Sequence, residues 1–148
     1  AYIQYSEANT DDANIIFGST NAVAANLLVD DGAGPKTTGD YVAMWKVDGG
    51  TQWYCGVCSA NTETPTAFTL AVPKTTAGGT SYQKLTIKVV CLSSTRAKAT
   101  FEVDGVCIAD IDFIYSSATE QQLVLGCKQG SANAETLNVK YMGYEQVR

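Results

Sequence analysis

Histidine is absent from the 148 residues. That removes the Ser-His and Cys-His nucleophile pairs and every His-ligated metal site from consideration. Cations are scarce too. Ten Lys and Arg stand against fifteen Asp and Glu, giving a formal charge of −5 and a pI near 4.5. A chain so poor in cations offers no basic face to a phosphate backbone, so nucleic acid is not an expected partner. No run of about 18 apolar residues occurs, so no membrane-crossing helix is expected. Ala1-Tyr2-Ile3-Gln4-Tyr5 lacks the basic segment and apolar run of a secretion signal. Nor does any stretch hold a 3.6-residue apolar period for three turns, which argues against amphipathic helices. What is present is globular: 45% apolar and 17% charged residues. The length fits a single domain over 1–148, able to bury roughly 70% of its unfolded surface.

Five cysteines stand at 55, 58, 91, 107 and 127. An odd count cannot close entirely into intrachain disulfides, and the density is far below that of a disulfide scaffold. Cys55-Gly56-Val57-Cys58 matches the C-x-x-C pattern of redox and zinc sites. Redox use wants its first thiol at a helix N-terminus, yet Trp53-Tyr54 before it reads as strand. Zinc would need two more ligands from Cys91, Cys107 and Cys127, which have no knuckle spacing. On a strand, residues three apart point to opposite faces, so the pair does not converge. The thiols therefore read as buried small hydrophobes made in a reducing compartment, in keeping with cytoplasmic assembly.

Period-two alternation covers most of the chain. Leu85, Ile87 and Val89 alternate with Lys84, Thr86 and Lys88. Tyr41, Ala43, Trp45 and Val47 alternate with Val42, Met44 and Lys46. Turn signals at Asp48-Gly49-Gly50, Asn61 to Pro65, Ala77-Gly78-Gly79 and Asp104-Gly105 punctuate these runs. The pattern predicts strands near 2–6, 13–17, 22–29, 40–47, 51–58, 66–72, 82–91, 97–103, 106–111, 121–127 and 136–146. Asp48-Gly49-Gly50 and Asp104-Gly105 should close hairpins, Ser93 to Arg96 a third, and Asp30 to Gly39 should be a surface loop. The expected fold is an all-β sandwich of two antiparallel sheets.

From Gly39 onward the order of elements becomes specific. Gly39-Asp40-Tyr41 opens a strand containing Trp45, Gln52-Trp53-Tyr54 follows, and Tyr82 to Val89 makes a long strand. Phe101-Glu102-Val103-Asp104-Gly105 then forms a hairpin, and Leu137-Asn138-Val139-Lys140-Tyr141 ends the series. This succession resembles concanavalin A-like, laminin-G-like jelly rolls, in particular those found as virion proteins of tailed bacteriophages. The likeness covers residues 39 to 146. It implies a jelly roll, whose terminal strand returns beside the N-terminal one. It also implies a non-enzymatic virion protein, a capsid decoration or surface accessory subunit contacting capsid or other virion proteins. By the same resemblance the chain would be a homo-oligomer, a trimer first of all, located in the virion after synthesis in the host cytoplasm. The alternative is a carbohydrate-binding, lectin-like module, such as part of a receptor-binding structure.

Glucanases sharing this fold carry Glu-x-Asp-x-x-Glu, with carboxylates on one face about 5.5 Å apart. The nearest string here is Glu102-Val103-Asp104-Gly105-Val106-Cys107, which ends in Cys and reads as a hairpin. No catalytic residues are assigned. No cofactor is expected, although calcium has candidate ligands in Asp30 and Asp31 or Asp110 and Asp112, and hard cations want several converging oxygens. Turn or cap duty is the competing reading of these aspartates. A surface glycan would stack on exposed aromatic rings, for which Trp53, Tyr54, Tyr115 and Tyr144 are the candidates, against the simpler reading that they fill the core. Trp45 and Phe101 read as core. Gly78-Gly79 lacks the lysine of a phosphate loop and reads as a turn. Residues 1–7, with Tyr2 and Tyr5, are either a contact arm for assembly or a strand pairing inside the sandwich.

Overall fold

The computed structural model describes residues 1–6, 13–24, 26–29, 34–36, 39–48, 50–59, 62–63, 77, 81–115, 120–129 and 135–145. They form ten strands: β1 (Tyr2–Ser6), β2 (Ala13–Thr20), β3 (Tyr41–Lys46), β4 (Tyr54–Ser59), β5 (Thr62–Glu63), β6 (Gln83–Cys91), β7 (Arg96–Val103), β8 (Val106–Ile114), β9 (Gln122–Gln129) and β10 (Thr136–Tyr141). Two antiparallel sheets result, in the orders β10-β1-β6-β7-β8 and β5-β4-β3-β2-β9. The first is called sheet A below and the second sheet B.

Alternation sets the layers. In sheet A, Leu85, Ala97, Ala99, Phe101, Val103, Ile111 and Phe113 point inward. They meet Ile15, Phe17, Met44, Cys55 and Val57 of sheet B in one core cluster. Each large side chain removed from water there contributes roughly 1.5–3 kcal/mol. Lys46, on the inward side of β3, is fully buried. Its Nζ donates to the Ala13 carbonyl at 2.9 Å and to the Val47 carbonyl at 3.3 Å, and it lies 5.6 Å from the centre of the Tyr5 ring.

Sheet B is covered on its outer face as well. Ile16, Tyr41, Ala43, Trp45, Cys58 and Val124 form a second cluster with Leu28. The strand expected over 22–29 is corrected here. Leu27 donates to the Ala24 carbonyl, Val29 to Gly34 and Lys36 to Leu27, which folds the segment into a brace over β3. An isolated bridge, Leu28 to Pro35, stands in place of a strand. Gly34 is required at its position: φ is +79°, and a Cβ would sit 2.5 Å from the Trp45 indole nitrogen. The apolar spacing of the segment serves a covering layer, burying Leu28 and leaving Val23 exposed.

Hairpins form where the turn residues place them. Asp104 (φ 52°) and Gly105 (φ 80°) give the paired positive angles of a two-residue turn between β7 and β8. Leu92 and Ser93 both donate to the Arg96 carbonyl and close the β6–β7 turn. β1 pairs with β10 over Tyr2 to Ser6 and with β6 at Tyr2 and Ile3. Residues 2–6 therefore pair inside their own sandwich, the strand alternative given for this segment. Tyr5 is buried with its ring edge toward Trp53, and Tyr2 lies against Tyr82 and Tyr141. Glu7, the strand expected over 66–72, and Asp30 and Asp31 lie outside the described residues.

Candidate functional site

One end of the sandwich is filled and the other is not. At the open end the inward positions of sheet B carry Ser19, Val42, Ser59 and Leu123, and those of sheet A carry Val89, Cys91, Ala97 and Phe113. Small residues at Ser19, Ser59 and Ala97 leave the layers apart, and a cleft of about 470 Å³ opens between them. That is the size of a ligand pocket, and the lining is mostly apolar. Val89 is 48% exposed although its strand position faces inward. Tyr115 and Tyr144 stand at the mouth with Asp40 and Gln121. Two of the four aromatic candidates are thus brought together.

Tyr115 is held in place. Its hydroxyl donates to the Ser93 carbonyl at 2.9 Å, and a hydrogen bond with the Cys91 thiol pushes its pKa up. Tyr144 is 74% exposed. The other two aromatics are elsewhere. Trp53 is only 1% exposed and donates its indole N–H to Gln83 Oε1 at 3.0 Å, so it fills the core and is withdrawn as a sugar platform. Tyr54 stacks on Trp45 over the outer face of sheet B, with ring centres 6.2 Å apart. Trp45 and Phe101 are buried, as their alternation implies.

The aspartates and the glucanase-like string lie on the outer face of sheet A. Lys98 Nζ is 2.8 Å from Asp110 Oδ2, and Thr100 donates to the same carboxylate. These bonds lower the Asp110 pKa and raise that of Lys98. Asp110 is therefore already neutralised by a neighbour, and Asp112 stands two residues along the same exposed edge. Among the described residues no group of three acidic, histidine or cysteine side chains converges as a metal would require. Glu102 pairs with Lys88, while Asp104 sits in the hairpin and accepts the Lys84 amide at 2.8 Å. Both carboxylates are thus engaged by neighbouring groups of sheet A.

The C-x-x-C pair is split as strand geometry demands. Cys55 points into the core between the sheets, and Cys58 packs in the outer cluster of sheet B. Burial pushes the Cys55 thiol up to about 12, with a smaller contribution from Cys107. None of the five cysteines is in a disulfide. Cys91, Cys107 and Cys127 are exposed, which corrects the reading of every cysteine as buried. Cys107 and Cys127 lie on the edge strands β8 and β9, and Cys91 is the last residue of β6 at the open end, so all three meet water.

No family model matches the chain, and no similar curated protein or solved structure was found. The cleft went unnoticed in the sequence because it is made of residues with no chemistry of their own. Its signal was there in principle: serine and alanine at inward positions where the same strands elsewhere carry Phe, Met and Ile.

Proposed function

We propose that this chain is a non-enzymatic recognition and assembly module, an accessory or decoration subunit on the surface of a tailed-phage particle, built as a concanavalin A-like jelly roll. The pairing pattern supports that connectivity: the first strand lies beside the last, and the second beside the ninth. Folding one long hairpin into two layers nests strands in that way.

The observation that carries the functional reading is where apolar side chains meet water. Val89, Val90, Leu92, Ile114, Leu123 and Tyr144 all gather around the open end, and Val139, Tyr141 and Met142 continue along the β10 edge. Folded monomers seldom expose so concentrated an apolar surface unless a partner covers it. Contact with capsid or other virion proteins through this end would cover it. A cyclic homo-oligomer, a trimer first of all, would cover sheet edges that otherwise present unpaired backbone. Exposed cysteines outside any disulfide suit assembly in the host cytoplasm before placement in the virion. Mass spectrometry and image reconstruction of purified particles test this reading. It expects stoichiometric amounts of the chain at symmetry-related surface positions, and absence from intact particles would reject it.

One observation favours a second reading, binding of a surface glycan. Tyr144 offers a free ring face beside Tyr115, with Asp40 and Gln121 able to grip hydroxyl groups. A glycan array probed with the native chain and with Tyr144→Ala separates the two: a specific sugar signal lost in the variant would establish this reading instead.

A further inference from the structure

The outer face of sheet A carries a group of aromatic rings that neither the core nor the cleft uses. Ile3 and Tyr5 point into the core, so alternation turns Tyr2 outward. Leu85 points inward, which turns Lys84 outward, and Tyr82 lies two residues before it on the same side. Tyr2 stands opposite Lys84 and Ile3 opposite Gln83, which brings Tyr82 diagonally beside Tyr2. Their ring centres are 5.2 Å apart, and the Tyr141 ring centre lies 5.6 Å from that of Tyr2. Tyr2 and Tyr82 are half-buried and Tyr141 is exposed.

A bulge in β10 brings a cation to these rings. Ile3 pairs with Val139 but Tyr2 pairs with Tyr141, so Lys140 is the extra residue. In an unbroken ladder Lys140 would face outward and Tyr141 inward. The bulge re-aims the pair and sets both side chains against Tyr2. Lys140 Nζ lies 4.3 Å from the centre of the Tyr82 ring and 5.2 Å from that of Tyr2. Neither Lys140 nor Lys84 forms an ion pair among the described residues, and both are exposed. Ring faces alone hold the Lys140 ammonium, in contact with water.

From this arrangement we infer that Tyr2 and Tyr82, with Tyr141 beside them, form a binding site for a quaternary ammonium group, which displaces the Lys140 ammonium into water. A primary ammonium is compact and strongly hydrated, so it gains little from an exposed ring and loses little on leaving it. A trimethylammonium group is the opposite case. Its charge lies under methyl groups, it sheds water at small cost, and the methyls pack on tyrosine faces. Charge fixes the rest of the ligand. Displaced, Lys140 stays near on its own strand, and Lys84 stands opposite Tyr2. Two cations beside the site repel a bare quaternary ion and attract an anion joined to it. The ligand class is therefore a zwitterion of the phosphocholine kind, free or as a lipid headgroup. None of these residues lines the cleft, and the inference does not rest on reading the chain as a virion subunit.

The probe is phosphocholine, titrated into the 148-residue chain at low ionic strength and followed by NMR. Stacking on ring faces should move its N-methyl proton signal upfield in a saturable way, and irradiating tyrosine ring protons should transfer saturation to that signal. Phosphoethanolamine, the same anion on a primary ammonium, should bind far more weakly, as should tetramethylammonium, which lacks the anion. Tyr82→Ala should weaken phosphocholine binding about fivefold or more, while Tyr82→Phe, which keeps the ring, should bind much as the native chain does. Lys140→Ala should tighten binding of tetramethylammonium, because it removes both the resident cation and its repulsion. Co-sedimentation with phosphatidylcholine vesicles separates the sources: capture that free phosphocholine reverses assigns a lipid headgroup, and phosphocholine binding without capture assigns a soluble carrier. Three results would overturn the inference: no upfield shift with phosphocholine, equal binding of phosphoethanolamine, or undiminished binding by Tyr82→Ala. The contrast between the two phosphate esters is read on the native chain and needs no substitution.

Discussion

The two ends of the sandwich are made from the same strands and differ in what those strands point inward. At the closed end β7 and β6 present Phe101, Val103 and Leu85, all without exposure, against Trp53, Ile3 and Met44. At the open end the same two strands present Ala97, Val89 and Cys91 against Ser19 and Ser59. One end is packed to stabilise the fold. The other leaves apolar surface accessible between the layers.

The comparison can be broken most forcefully by truncation. Phe101→Ala should cost about 3–5 kcal/mol in denaturant unfolding, as large core deletions do. Phe113→Ala, beside the cleft, should cost clearly less, because water already reaches its neighbours. Equal losses would mean that the open end is as tightly packed as the closed one. Insertion sharpens the contrast. Ala99→Leu adds volume to a filled layer and should cost roughly 1–3 kcal/mol, whereas Ala97→Leu has the cleft to grow into and should be close to neutral.

Thiol chemistry gives a smaller effect. At neutral pH an alkylating reagent should label Cys91, Cys107 and Cys127 in the folded chain, and Cys55 and Cys58 only after unfolding. Because burial raises the Cys55 pKa to about 12, the folded state holds that proton more tightly than the unfolded one. Its contribution to stability is fully present below the ordinary thiol value and is lost as the pH rises from there toward about 12. Mass spectrometry of the labelled protein and alkaline unfolding curves check both statements. Least of all, Asp110→Asn should change stability only marginally, since its partners are solvated. Its pKa is lowered, so its small contribution is present above the ordinary carboxylate value and disappears as the pH falls through the lowered one. An NMR acid titration reads this directly.

Much of the fold was legible because period-two alternation reports which face a residue occupies. It placed the long β6 and the split of Cys55 from Cys58, and turn chemistry placed the Asp104-Gly105 hairpin; the return of β10 beside β1 was expected only from the resemblance to jelly rolls. It did not report what covers an outer face. Residues 22–29 look like a strand, yet Leu28 serves a brace over Trp45, a tertiary arrangement no local pattern encodes. Trp53 was left between a sugar platform and the core for a related reason. It precedes β4, outside the clean alternation, and its burial with a hydrogen bond to Gln83 across the layers decides for the core. The candidate site was half legible. Tyr115 and Tyr144 were identified as aromatics, but the vacancy that joins them is a property of the small residues Ser19, Ser59 and Ala97 on facing layers.

Amide hydrogen exchange along β6, measured residue by residue on the free chain, tests the central claim most directly. Thr86, Lys88 and Val90 direct their N–H groups to β7 and should be protected, while Ile87, Val89 and Cys91 direct theirs away from β7, where no described strand pairs with them in the 148 residues, and should exchange much faster. That alternation, over a strand whose first half is protected on both sides, is what a loosely covered open end beside the cleft requires. Uniform protection from Thr86 to Cys91 would show that the edge is already closed and would contradict the account.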